Sequence, residues 1–216
     1  MAKFGLVCEG VTDQIVIENI LCGFYKEIDD LDEEIQALQP PFDETTKKQA
    51  DFGSWGLLLT YLSDTRFRDD VLNSEYVIIQ IDTDDSQKPN FNVSPTDSDN
   101  KELTIEIFVE KIIERLVAQI DSKESFYEEH KEKIIFAISV HSLECWLLPL
   151  YKSYKTEKII NCFDNLQRES KEISVKKDYN TYNKLSKPFV KQKMLLKVSS
   201  QNKSLNIFLS KLPVLS

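Results

Sequence analysis

Little in this sequence points to a membrane, a secretory route or a structural metal. No apolar run approaches the roughly 20 residues needed to cross a bilayer. The stretch Met1–Cys8 has no signal-peptide hydrophobic region or cleavage site, and acidic residues follow at once, so a cytoplasmic location without a membrane partner is expected. Histidine is nearly missing: only His130 and His141 are present. The four cysteines, Cys8, Cys22, Cys145 and Cys162, are scattered, with no CxxC pair, which argues against a structural zinc site. Each lies in or beside an apolar run, and all four are expected to be buried free thiols. Low-complexity tracts and internal repeats are lacking too.

What is present is an ordinary globular composition, 41% hydrophobic and 29% charged over 216 residues. That is enough chain for one α/β domain with an appended element. The net charge of −9 conceals an asymmetry. Residues 151–216 carry 14 Lys and Arg against 5 Asp and Glu, a net of +9, which leaves residues 1–150 at −18. An acidic body with a basic extension can hold a polyanion, or the two parts can simply complement each other within one fold.

Hydrophobic periodicity orders the elements. Residues 3–8 read as a strand, and Val16, Ile20 and Phe24 then recur at helical spacing, with Thr12 as expected N-cap and Asp13 in the first turn. Residues 35–38 read as a short strand closed by Pro40-Pro41, residues 42–53 as a polar loop, and Ser54 as the cap of a helix carrying Leu57, Leu58, Tyr61 and Leu62. The run Tyr76-Val77-Ile78-Ile79-Gln80-Ile81 is β-rich and nearly continuous, as in a strand covered on both faces. A long polar loop leads to a helix over 103–120, striped by Ile105, Phe108, Ile112, Leu116 and Ile120. A strand over 134–140 precedes a short helix that Pro149 ends or kinks, with Trp146 expected in the core. Beyond 150, helices are expected near 156–167 and 204–212.

The alternation of strand and helix implies an open, Rossmann-like parallel sheet of about four strands flanked by helices, for which 2-1-3-4 is the common doubly wound strand order. The expected organisation is an α/β domain over 1–150 and a basic, mainly helical extension over 151–216 packed on it.

Acidic residues recur at the carboxyl ends of the expected strands: Glu9 after the first, Asp82, Asp84 and Asp85 after the third, Glu144 just past the fourth. Open parallel sheets bind ligands along that edge, and with order 2-1-3-4 the first and third strands are neighbours. Like charge concentrated there is unfavourable unless a cation neutralises it, and oxygen-only ligands suit Mg²⁺ or Mn²⁺. The competing reading leaves Asp82 as a solvated strand end and Asp84 and Asp85 as turn formers. His141 either contacts a scissile phosphate or caps the following helix. Glu144 is either a further ligand or a carboxylate favoured by its helix dipole. In the extension, Lys176, Lys177, Lys184, Lys187, Lys191 and Lys193 alternate with Tyr179, Tyr182 and Phe189. Such a stretch grips phosphates and stacks on bases, or it is a solvated surface with aromatic anchors.

Glu9-Gly10-Val11-Thr12-Asp13 after one strand, then Ile81-Asp82-Thr83-Asp84 after a later one, resembles the signature of the Toprim fold. That fold is shared by topoisomerases, primases, the nuclease domain of overcoming-lysogenization-defect proteins, and recombination and RNA-maturation nucleases. His141-Ser142-Leu143-Glu144-Cys145-Trp146 further resembles small stand-alone Toprim-like proteins, some of them phage-defence effectors. The resemblance spans about residues 3–150 and implies Glu9 as general acid/base or metal ligand, with Asp82 and Asp84 holding Mg²⁺. The clamp of a topoisomerase and the template apparatus of a primase do not fit in 216 residues. Metal-dependent hydrolysis of RNA or DNA is therefore the leading expectation. Two others stand beside it: a non-catalytic regulatory module working with a partner such as an ATPase, or as a homodimer, and a phosphatase or nucleotide-sugar transferase using the DxD. The phosphatase reading is weakened because its motif normally opens the domain, whereas here it follows the third strand.

Overall fold

A computed structural model describes residues 2–41, 54–152, 160–170, 173 and 175–215. The polar loop expected at 42–53 and the start of the helix expected at 156 lie outside these residues. Four strands, β1 (Ala2–Val7), β2 (Ile35–Gln39), β3 (Ser74–Asp82) and β4 (Ile134–Ser139), form an all-parallel sheet in the order β2-β1-β3-β4. The expected α/β class and strand order are thus found.

Side chains alternate across the sheet with period two, and each face has its own core. Phe4, Leu6, Ile78, Ile135 and Ala137 face α1 (Val11–Phe24) and α6 (Glu144–Leu147). Val7, Val77, Ile79, Ile81, Phe136 and Ile138 face α2 (Trp55–Leu62), α3 (Thr65–Leu72) and α4 (Ile105–Ile120). A short α5 (Tyr127–His130) leads into β4. Ser54 and Thr104 accept hydrogen bonds from Leu57 and Ile107 and so cap α2 and α4. Residues 148–150 tighten into a 3₁₀ turn around Pro149, which ends α6.

The first helix starts two residues earlier than its pattern predicts. Gly10, in extended backbone, is the N-cap, and no side chain caps the helix. Thr12 therefore lies inside the first turn, because the strand feeds the helix through only Cys8, Glu9 and Gly10. The helix α3, with Asp64 as its cap, was not expected; its mean hydropathy is low and its buried face is narrow.

The extension forms α7 (Cys162–Glu169), α8 (Tyr179–Ser186), a 3₁₀ turn over Lys187–Val190, α9 (Gln192–Ser199) and α10 (Lys203–Ser210). The sequence reading anticipated the first and last and missed α8 and α9. All four pack into the core on the α1 face, burying Leu166, Leu185, Phe189, Leu195, Leu205 and Phe208. Buried Asn19 of α1 donates to Ser186 Oγ at 2.8 Å and Asn183 Oδ1 at 3.2 Å. Gly23 meets the chain at Phe189 so closely that an added Cβ would lie 1.9 Å from the Phe189 carbonyl oxygen. Any side chain there would push α1 off the 187–190 turn. Trp146 is fully buried, stacked on Phe208, with its indole donating to Ser204 Oγ at 2.8 Å.

The cysteines depart from expectation. Cys8 is a buried thiol and Cys22 a half-buried one, but Cys145 and Cys162 form a disulfide joining α6 to α7. The apolar setting that suggested free thiols is real for both. What sequence could not show is that α7 docks its first residue against α6. Among the described residues, no helix is long and apolar enough to cross a membrane.

Candidate functional site

The centre of the sheet's carboxyl edge lies between β1 and β3, where the chain leaves the two neighbouring strands toward α1 and toward the 83–104 loop. Glu9 turns across this gap, and its Oε1 accepts the Asp82 backbone N–H at 2.7 Å. Asp82, the last residue of β3, points to the α1 face, in register with Gln80 below it and Ser139 on β4. Gln80 Nε2 donates to Asp82 Oδ1 at 2.9 Å. Thr83 ties the ends of β3 and β4 together: its N–H donates to the Ser139 and His141 carbonyls, and its Oγ1 accepts the His141 N–H at 2.8 Å. His141 takes left-handed backbone (φ 67°), and its carbonyl also receives the Asp84 N–H at 2.9 Å. That conformation costs a non-glycine residue about 1 kcal/mol, and the three hydrogen bonds around Thr83 and Asp84 offset it.

Two more carboxylates enter the crevice. Asp13, at the third helical position of α1, is 9% exposed. Helical side chains lean toward the N-terminus, so Asp13 is turned back over Gly10 toward Glu9. Glu144, the first residue of α6, is 5% exposed and accepts a short hydrogen bond from the buried Tyr182 hydroxyl of α8.

The electrostatics follow from this crowding. Burial, then the Asp13 charge, pushes Glu9 up to about 8, although the Asp82 N–H works against the rise. Burial, then Glu144, pushes Asp13 up to about 7. Asp82 is raised well above the usual carboxylate range by burial and then by Glu9, Asp13 and Glu144. Asp84 is raised by burial and by Asp85. His141, half-buried, is lowered by burial, with Glu102 and Asp84 opposing. Lys177 is the cation that most directly relieves the carboxylates, acting on both Asp13 and Asp84. Its ammonium also sits 5.2 Å from the centre of the Phe163 ring.

The expected residues therefore divide. Glu9, Asp82 and Asp84 come together, Glu144 joins them, and His141 stands at the rim beside Asp84. All six lysines are exposed, but they do not form one patch at the crevice. Lys177 is beside it, whereas Lys187 acts on Glu18 and Cys22, further along α1. Sequence reasoning missed Asp13 and the place of Tyr182 in the crevice: Tyr182 and Phe189 are buried, so they cannot stack on bases. The first had a signal, a carboxylate four residues after Glu9 on a helix that starts at once. The second had none, since Tyr182 lies 38 residues from Glu144.

The carboxylates supply the oxygen donors that a hard divalent cation prefers. Gln80 is fully buried, and its Oε1 has no hydrogen-bond partner although its amide nitrogen touches Asp82. An orphaned acceptor beneath clustered carboxylates fits a cation or its bound water. The carboxylates lie within electrostatic reach of one another and not around one point, however. Among the described residues, no three His, Cys, Asp or Glu side chains form a ready cation-ligand set. Glu9 and Glu144 each commit one oxygen to a protein donor. No protein-family model, curated protein or solved structure matches this chain.

Proposed function

We propose that the crevice between β1 and β3 is the active site of a divalent-cation-dependent phosphodiesterase acting on RNA or DNA, of the Toprim kind. One observation carries this reading. Five carboxylates from three stretches of the chain, Glu9, Asp13, Asp82, Asp84 and Glu144, are directed at the carboxyl edge of two central strands, where burial and crowding raise the proton affinity of Glu9, Asp13, Asp82 and Asp84. Burying such a set has no structural benefit, because replacing the charges with apolar groups would stabilise the fold. Asp82 and Asp84 would hold Mg²⁺ or Mn²⁺ from one wall, with Glu9 and Asp13 facing them. Such a cation neutralises the carboxylates, stabilises charge on phosphoryl oxygens and makes water acidic.

The protein's own groups supply the rest. Glu9 Oε1 is anchored on the Asp82 N–H, so Oε2 remains to take the proton of an attacking water. The Tyr182 hydrogen bond fixes the Glu144 carboxylate, and Thr83 fixes the relative height of Asp84 and His141. Lys177, exposed beside Asp13 and Asp84, offers positive charge to an incoming phosphate where the body is otherwise anionic.

The site is tested by cation-induced stabilisation. A native-state ligand at a hundred times its Kd adds about 2.7 kcal/mol, so saturating Mn²⁺ is expected to raise Tm by about 5–10 °C. Asp82→Ala should lose that shift. An equal shift in the variant would remove the metal assignment. A shift in the wild type without cleavage of RNA or of single- or double-stranded DNA would favour the regulatory module over the nuclease.

The division among the lysines gives a further expectation. Lys177→Gln should weaken nucleic-acid binding and flatten the slope of log affinity against log salt by up to about 0.9 on duplex DNA, the value for one lost phosphate contact. Lys187→Gln should change the slope far less, because Glu18 lies beside that charge. Lys187→Gln should barely move Tm, since the residue is exposed, whereas Lys177→Gln should lower it slightly because that charge relieves Asp13 and Asp84. Equal effects in binding assays run across salt concentrations would show that the crevice does not direct the substrate.

A further inference from the structure

Away from the crevice, β4 forms one edge of the sheet and pairs with β3 alone. Beside its first half, α4 and α10 part to leave a groove of about 770 Å³. The groove is lined by Ile134 and Phe136 of β4, Ile113 and Val117 of α4, Tyr127 and Ile207. Its rims carry charges of both signs, with Glu132 beside Lys131 among the lining residues. Glu110 and Glu114, one turn apart on α4, stand on one side, and Lys211, just past α10, on the other. The neighbouring Glu106 and Lys131 are already paired, with Lys203 and Glu128. Glu110, Glu114 and Lys211 have no ion-pair partner among the described residues.

We propose that this groove is the face through which two copies of the chain associate about a twofold axis. A twofold interface joins the same patch to itself, so each copy must carry both members of every complementary pair. This groove does so. An axis running along it sets Glu110 and Glu114 of one copy against Lys211 of the other, and closes Ile113, Val117 and Ile207 over the partner's apolar strip. Other occupants fit less well: the acidic rim repels a nucleic acid, and a uniformly basic peptide would meet Lys131 and Lys211. The groove lies at the amino end of β4 and the carboxylate crevice at the carboxyl end of the sheet, so a pair joined here leaves both crevices open.

The test is sedimentation equilibrium of the full chain from about 1 to 100 μM, a range that brackets micromolar dissociation. The wild type is expected to dimerise within it. Reversing both Glu110 and Glu114 to Lys, or Lys211 to Glu, sets like charges across the axis twice, and each change should weaken the dimer by about tenfold or more. Combining all three substitutions reinstates opposite charges and should restore it, which simple damage to the fold would not do. Far-ultraviolet circular dichroism and Tm should match wild type in all three variants, since the altered residues are exposed. A wild type that stays monomeric throughout overturns the proposal and leaves the groove to a segment of another protein. A dimer indifferent to both reversals, or a combined variant that fails to recover, overturns it equally.

Discussion

Glu9→Gln is expected to reduce Mn²⁺-dependent cleavage of RNA or DNA by more than about a hundredfold, the loss typical of removing a group that acts on the reacting atoms, while making the cation-free protein more stable at pH 8. The two effects have one origin. The amide oxygen of Gln keeps the shape of the side chain and still accepts the Asp82 N–H that Glu9 Oε1 accepts now. What disappears is a buried negative charge and a proton acceptor. Glu9 is raised from 4.5 to about 8. At about 1.4 kcal/mol per unit, its ionisation costs the fold on the order of 4 kcal/mol at pH 8, shared with its neighbours Asp13 and Asp82. Relieving even half of that should raise Tm by about 5 °C. Cleavage assays with Mn²⁺ and calorimetry with a chelator measure the two effects separately. Full activity in the variant would remove Glu9 from the chemistry. Lost activity with a lowered Tm would instead mean that the carboxylate has a structural role.

The pH dependence of stability is the second large effect, and its sign is opposite to that of most proteins rich in surface carboxylates. Glu9, Asp13, Asp82 and Asp84 all have folded values above their ordinary ones. Glu18, pushed up to about 7 by burial and Asp32, acts in the same direction. Between an ordinary carboxylate value and these raised ones, the folded chain binds more protons than the unfolded chain, so stability falls as pH rises. The window runs from about 4.5 to 8, set by Glu9 and Asp13. His141 works the other way, because a lowered value makes protonation below its ordinary 6.5 destabilising, but one half-buried imidazole is outweighed by the carboxylates. With a chelator present, Tm should therefore be at least about 10 °C lower at pH 8.5 than at pH 5.5, from several kcal/mol of linked protonation. Mg²⁺ or Mn²⁺ at pH 8.5 should recover most of the difference, since a cation takes the place of the protons. Urea unfolding across this range gives the slope directly. A profile that is flat, or that rises with pH, would mean that the crevice carboxylates are solvated and relaxed.

Much of this was legible in the chain, for reasons specific to each element. The run at 76–81 is apolar on both faces because β3 lies inside the sheet, covered by α1 on one side and by α3 and α4 on the other. Its two breaks in hydrophobicity were informative. Asp82 ends the strand at the crevice, and Gln80, a polar residue with no exposure, supports Asp82 from below. Short connections helped as well. With only three residues between β1 and α1, Glu9 had no choice but the strand's carboxyl edge.

Elsewhere the sequence carried no such signal. The helices α8 and α9 show weak periodicity because their buried faces rest on α1 and on the 187–190 turn, not on the sheet, and glycine at position 23 makes sense only once Phe189 is seen against it. The Cys145–Cys162 bridge and the Tyr182–Glu144 hydrogen bond likewise depend on where the extension docks.

The sequence by itself determined the alternation of strands and helices that makes a parallel sheet, and the placement of Glu9, Asp82 and Asp84 at its carboxyl ends. These follow from local periodicity and from the rule that parallel strands share their carboxyl edge, whereas the strand order that makes β1 and β3 neighbours was only the common arrangement until the structure showed it. Only the tertiary structure decided that Glu144 completes the crevice, that Lys177 stands beside it, and that two cysteines are joined. Those are contacts between segments far apart in the chain, set by how helices pack on a common core, and no pattern within a single segment records them.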